Sequence, residues 1–274
     1  MVQRRGMRLF LATLVIAAVW ATTLPVQAQQ ILVGRQTQHD KVRVSGFLWR
    51  AKPQGTLRLA ELAAVPGFGN GIDIADGLGF DSSANGWIIE GNVAPGRRHH
   101  LIFEYSRLQA SGARTVEFPG FGSIPGFSID TTSAITLREF HAFYNFLLTA
   151  SPQAEFGLLG GLGWFETEAA LFTDIGDTAA KLDQAFPAFG ANLMLNPKGP
   201  LRGYVELSGF PRVEVNDLSG WQFDLVARFE VFPTRNFGLI VGYRRYRLVF
   251  DEGEQNIGLD VIWDGFTFGA QVRY

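Results

Sequence analysis

The chain contains no cysteine, so disulfides, thiol chemistry and thiolate metal centres play no part in it. It has no basic excess either. The formal charge is −2, and no lysine or arginine stripe offers a face to nucleic acid. Beyond the first twenty-odd residues, no stretch approaches the roughly eighteen consecutive apolar residues of a membrane helix, and no long segment carries apolar residues at a helical period. No glycine-rich loop follows a strand and opens a helix, so nucleotide binding has no support. The acidic run from Asp73 to Asp81 misses the Asp-x-Asp-x-Asp-Gly spacing of a calcium loop. No metal site and no cofactor are therefore expected.

The N-terminus has a different character. Arg4, Arg5 and Arg8 precede an apolar run from Leu9 to Ala21, and Val26-Gln27-Ala28 supplies the residues a secretory peptidase needs at −3 and −1. A run this short, followed by Thr-Thr-Leu-Pro, predicts a cleaved signal peptide over 1–28 rather than a membrane span. That leader holds three of the 24 basic residues and none of the 26 acidic ones, so the mature chain carries 21 against 26, a net charge of −5.

What is abundant is glycine, phenylalanine and alternation. There are 32 Gly and 24 Phe, and 47% of the residues are hydrophobic, which is too apolar for a disordered chain. Short connections rich in Pro, Gly and Asn stand at 95–98, 151–153, 196–200 and 233–236, each a tight-turn composition. Between them lie longer polar or Gly-rich stretches near 109–133, 167–183, 210–220 and 251–256, with one longer still at 51–86. Short turns at one end and long loops at the other predict an all-β fold, a transmembrane antiparallel up-and-down β-barrel. The strands read as 42–50, 86–94, 99–108, 134–149, 154–166, 185–196, 201–209, 221–232, 236–249 and 257–274. That makes about ten; an added hairpin at 56–60 and 71–74 would make twelve, and loss of one pair would leave eight.

The two faces of these strands differ in kind. One carries Trp87, Ile89, Val93, Leu101, Phe103 and Tyr105, then Phe140, Ala142, Tyr144, Phe156, Leu158, Leu162 and Trp164. It continues through Phe189, Leu193, Val205, Leu207, Phe223, Ala227, Val231, Leu239, Val241 and Tyr243. The other carries Glu90, Glu104, Ser106, Glu139, His141, Glu206, Asp224, Arg228, Glu230, Arg244 and Arg273. A soluble core does not hold that many charges while its solvent face holds Phe and Leu. The apolar face is therefore assigned outward and the charged face to a lumen, with tryptophans and tyrosines near strand ends forming interfacial belts.

The last ten residues close the pattern. Phe266, Phe268, Ala270, Val272 and Tyr274 share one face, and Gly265, Thr267, Gly269, Gln271 and Arg273 the other. This segment resembles the closing strand of small bacterial outer-membrane β-barrel proteins, whose terminal aromatic residue and preceding alternation serve as the assembly signal. The resemblance implies a Gram-negative outer-membrane location, a short periplasmic segment over 29–40 and a barrel over 41–274. It also implies outer-membrane lipid and lipopolysaccharide as surroundings, and the barrel-assembly machinery as partner during biogenesis.

A lumen of mixed charge predicts an internal salt-bridged plug more readily than a reactive centre, because unpaired charges in a narrow bore are costly. The expected role is structural or surface-interacting, by a monomer that is not an enzyme. A narrow, porin-like channel for small solutes is the alternative, and a lipid-modifying enzyme the second alternative. No catalytic residue is assigned; the constellation that merits a test is His141 with Ser106 and Glu139.

Overall fold

Alternation of small or polar with apolar side chains, punctuated by Pro and Gly turns, leaves the backbone extended, and every regular element among the described residues is a strand. The computed structural model describes residues 40–58, 72–80, 83–118, 127–173, 176–215, 218–252 and 257–274. The expected signal peptide and nearly all of the 29–40 segment lie outside them. The strands are β1 (Val42–Arg58), β2 (Ile72–Asp73), β3 (Ala84–Gly96), β4 (His99–Phe118), β5 (Phe127–Ala150), β6 (Ala154–Thr173), β7 (Gly176–Leu195), β8 (Leu201–Val215), β9 (Leu218–Val231), β10 (Phe237–Glu252) and β11 (Ile257–Arg273).

Leaving the two-residue β2 aside, each strand pairs antiparallel with the next, and β11 returns to β1 in continuous register from Arg43↔Arg273 to Arg58↔Gly258. The sheet closes on itself with ten strands, although β7 and β8 pair only from Phe189↔Gly209 to Leu195↔Gly203 and part beyond that point. The terminal carboxyl end takes part in the closure: Tyr274 accepts from the Lys41 and Val42 amides and donates to the Val42 carbonyl.

Side-chain alternation places the chemistry as a membrane demands. Leu48, Leu162 and Phe189 point outward at 70%, 67% and 55% exposure, while Arg244 and Glu139 point inward at 0% and 1%. Apolar outside and charged inside is the reverse of a soluble barrel. Two residues of the outward face, Ala227 and Tyr243, are nonetheless buried. They oppose each other across β9 and β10, and the Tyr243 ring meets Phe266 edge-on at 5.8 Å, so the large ring shields the small neighbour on the barrel wall.

The four short turns lie together at one end, the end that faces the periplasm in outer-membrane barrels. The opposite end departs from expectation. Most of the stretches expected as long loops are strand: β4 runs to Phe118 and β5 starts at Phe127, β6 and β7 approach within a few residues, and so do β8 with β9 and β10 with β11. β5 has 24 residues, whereas crossing the bilayer takes only about 9–11, so more than half of it stands beyond the apolar belt. There the outer face turns polar and the inner face apolar, and the same period of two changes sign.

Among the described residues, the hairpin expected at 56–60 and 71–74 forms as a two-residue pairing but adds no strand to the closed ring. β1 simply continues to Arg58, and β2 pairs with it over two residues. From β2 the chain turns inward: Asp73 Oδ1 accepts the Asp76 amide at 2.7 Å, the Ile74 amide donates to the Gly55 carbonyl at 2.8 Å, and Ile74, Leu78 and Phe80 are buried. This turn forms a lid over the extracellular end, held to the wall by a Ser133 Oγ bond to the Leu78 carbonyl at 2.7 Å. The lid passes so close to β4 that a Cβ on Gly112 would stand 2.4 Å from the Leu78 carbonyl oxygen. Gly112→Val is therefore expected to expel the lid at a cost of roughly 1–3 kcal/mol, read as a lower urea midpoint in detergent and faster proteolytic cleavage within 72–80.

Candidate functional site

The lumen gathers buried charge, and it is built in layers. At the periplasmic end Phe232, fully buried, lies between two guanidiniums, Arg273 at 3.6 Å and Arg202 at 4.5 Å from the ring centroid. Both arginines reach Asp40 Oδ2, at 3.5 and 2.9 Å. A guanidinium over an aromatic face keeps its charge stabilised where water is scarce.

Above this, Glu90 sits between Arg43 (3.2 Å) and Arg228 (2.5 Å). Arg228 comes from β9 and Glu90 from β3, well apart around the ring, so the contact crosses the bore rather than following the wall. Phe47 and Tyr204 flank the Arg228 guanidinium at 4.4 and 5.5 Å. Gln271 Nε2 donates to Glu230 at 2.8 Å, and Glu206 accepts from Tyr204 and Ser208.

The next layer centres on Arg244, which makes two bonds to Asp224, Nε at 3.0 Å and Nη2 at 2.6 Å. The same Nη2 stands 2.8 Å from Glu104 and 3.6 Å from Glu139. Since β10 lies opposite β4 and β5 in the ring, one arginine holds three carboxylates from both sides. Gln222 Nε2 reaches Glu139 at 2.5 Å. The structure places all eleven residues of the charged face in the interior: Glu90, Glu104, Ser106, Glu139, His141, Glu206, Asp224, Arg228, Glu230, Arg244 and Arg273.

This is the architecture of an outer-membrane β-barrel. No protein-family model matches the chain, and no curated protein matches it in sequence. Among solved structures it is similar to the outer membrane protease OmpT from Escherichia coli, at 12% identity and a TM-score of 0.49, over 87% of this chain and 99% of that one. The translocator domain of the autotransporter NalP from Neisseria meningitidis is similar at 11% identity and a TM-score of 0.44, over 86% and 90% of the two chains. The attachment invasion locus protein Ail of Yersinia pestis is similar at 14% identity and a TM-score of 0.35, over 85% and 99%.

Above the Arg244 layer the barrel interior changes character. Phe165, Phe186, Phe210 and Phe250, from β6, β7, β8 and β10, form a closed ring of contacts with centroid separations of 5.7, 4.1, 5.9 and 4.7 Å. Trp49, Trp263 and Tyr246 are fully buried beside them, and Ile88, Leu108, Ile135 and the lid complete an apolar plug. A polar, charge-paired lumen was expected with loops beyond it; the outer half is instead an aromatic diaphragm, because the strands outrun the membrane and must bury a core of their own.

His141, Glu139 and Ser106 are indeed neighbours. His141 Nε2 lies 3.3 Å from Glu139, and Ser106 opposes Glu139 across β4 and β5. All three are buried beneath the diaphragm, with the His141 ring against Phe143 and Phe186 at 5.1 and 6.0 Å. Ser106, Glu139 and His141 are 2%, 1% and 2% exposed.

Sequence reasoning passed over Arg43, Arg202, Tyr204 and Gln222, all buried parts of these layers. Strand parity would have found the last three, since 202 and 204 share the phase of Glu206, and 222 that of Asp224. Arg43 lies two residues before Ser45 at the start of the first strand, where no turn marks the phase.

Proposed function

We propose that this protein is a non-conducting, monomeric outer-membrane barrel that acts through its surfaces, neither passing solutes nor performing catalysis in its lumen. The observation that carries this reading is the double seal: charge pairs spanning the bore beneath a four-phenylalanine diaphragm. Arg244, Trp263 and Phe165 are fully buried, so a continuous wet path of the kind a channel needs is interrupted in two chemically distinct ways. A lipid-modifying reaction would need its nucleophile at the rim or the outer face, and the His141 cluster is at neither.

The outer wall supports a lipid-facing role. Just above the apolar belt, Arg50, Lys52 and Arg107 point outward, with Arg50 donating to Ser83 at 2.7 Å. Basic groups at this height suit the phosphates of lipopolysaccharide. The exposed face of β11, Phe266, Phe268, Val272 and Tyr274, with Ala270 among them, suits recognition by the barrel-assembly machinery before closure.

The decisive measurement is conductance of the refolded protein in a planar bilayer. A folded, inserted sample is expected to be silent; steady ion-selective steps from the unaltered protein would replace this reading with the narrow channel.

A further inference from the structure

The double seal leaves the periplasmic end of the lumen as a blind cavity of about 370 Å³. Its size is that of a small-ligand site, and its walls are unlike the plug above. Five basic residues line it, Lys41, Arg43, Arg97, Lys198 and Arg202, against two carboxylates, Asp40 and Glu155. The excess of positive charge is set in a protein of net negative charge, so it is a local feature and not a reflection of composition.

The inner wall is also incompletely satisfied. Arg43 Nε, Arg202 Nε and Asn145 Oδ1 are buried there without a hydrogen-bond partner, in side chains that are 6%, 2% and 3% exposed. Arg43 spends Nη2 on Glu90 and Arg202 spends Nη1 on Asp40, so both guanidiniums are held in place while an N–H of each remains unused. Buried polar groups without partners are rare and costly, and preorganised guanidiniums of this kind are suited to carboxylate and phosphate oxygens. Asn92 and Asn192 add amides, while Ile102, Leu147 and Met194 give one side an apolar surface.

From these walls we infer that the cavity binds a small organic anion from the periplasm, one phosphate or carboxylate head on a short body. The head meets Arg43 and Arg202 at the inner end. The body lies against Ile102, Leu147 and Met194, and Lys41, Arg97 and Lys198 draw the anion in through the mouth. The site ends at the Arg43–Glu90–Arg228 layer, so occupancy does not require passage through the barrel, and its presence or absence leaves the conductance result untouched.

Titration calorimetry on the refolded full barrel in detergent tests this, with glycerol 3-phosphate and succinate as the two organic anions, inorganic phosphate as the bare ion and glycerol as the neutral control. Saturable binding of at least one organic anion is expected, with none of glycerol. It should weaken at least about tenfold in Lys41→Ala/Arg97→Ala/Lys198→Ala and fall with added salt, as steering by rim charges requires. Asn92→Asp, which places a carboxylate in the wall with little change of shape, is expected to weaken it comparably, and retained heat-modifiability on gels verifies that each variant is folded. The two organic probes distinguish a phosphate from a carboxylate head. No binding of either up to about 10 mM, inorganic phosphate bound as tightly as both, or affinity unchanged in folded variants would each overturn the inference.

Discussion

Arg244→Ala is expected to cost about 3–5 kcal/mol of stability, the penalty for leaving buried charge without its partner. Three carboxylates, Asp224, Glu104 and Glu139, converge on this one guanidinium, and its removal leaves them facing each other in a layer from which water is excluded. The measurement is the urea midpoint of the refolded barrel in detergent. A control comes from the outer wall, where Arg247 makes an equally good pair of bonds to Asp260, 3.0 and 2.8 Å. Its side chain is more than a third exposed, so Arg247→Ala should cost under about 1 kcal/mol. Neutralising the whole cluster, by Arg244→Met with Asp224→Asn, Glu104→Gln and Glu139→Gln, is expected to recover a good part of the loss, since a buried network replaced as a unit leaves no charge unpaired. If Arg244→Ala costs no more than Arg247→Ala, the lumen charges do not hold the barrel together.

How far these features were legible from the sequence depends on where along each strand one looks. Within the apolar belt the alternation of Leu101, Phe103 and Tyr105 with Ile102, Glu104 and Ser106 nearly determines the faces, because lipid tolerates no charge and a narrow bore takes few large apolar chains. The periplasmic turns were equally legible from their Pro, Gly and Asn residues, which act locally. Beyond the belt the rule lapses. At Arg138, Glu166, Glu168 and Lys181 the outward face becomes an ion-paired surface, while Leu137, Phe165 and Ala169 go inside. The period persists but its sign has changed, and nothing in a single strand says at which residue the bilayer ends. The lid was less legible still, since Ile74, Leu78 and Phe80 share one parity with Ile72 yet lie in a turn rather than a strand, placed by contacts such as Ile74 with Gly55 and Leu78 with Ser133. Pairings across the bore are a third kind of information: that Arg228 meets Glu90 follows from closure of the ring, which local pattern does not encode.

The change of sign along the strands gives the second large effect, because it means the lumen is shut twice by unrelated forces. Breaking the charge layer alone, with Arg228→Ala and Arg244→Ala, opens space beneath the phenylalanine ring but leaves Phe165, Phe186, Phe210 and Phe250 in contact. Removing rings alone, with Phe186→Ala and Phe250→Ala, leaves Arg244 and its carboxylates spanning the bore. Each pair of changes is therefore expected to leave a planar bilayer silent or nearly so, and the four combined should give ion-selective steps, a non-additive result characteristic of barriers in series. Cations should be preferred in the combined variant, because with both arginines gone Glu104, Glu139 and Asp224 face the path without a guanidinium partner. Steps from the charge-layer variant alone would mean that the diaphragm does not seal, and the apolar half of the lumen would then be read as a dewetting gate whose closure depends on the arginines below it. Silence from the folded four-fold variant would place the barrier in the lid instead, where Ile74, Leu78 and Phe80 close the mouth, and Gly112→Val added to the four changes separates those two outcomes.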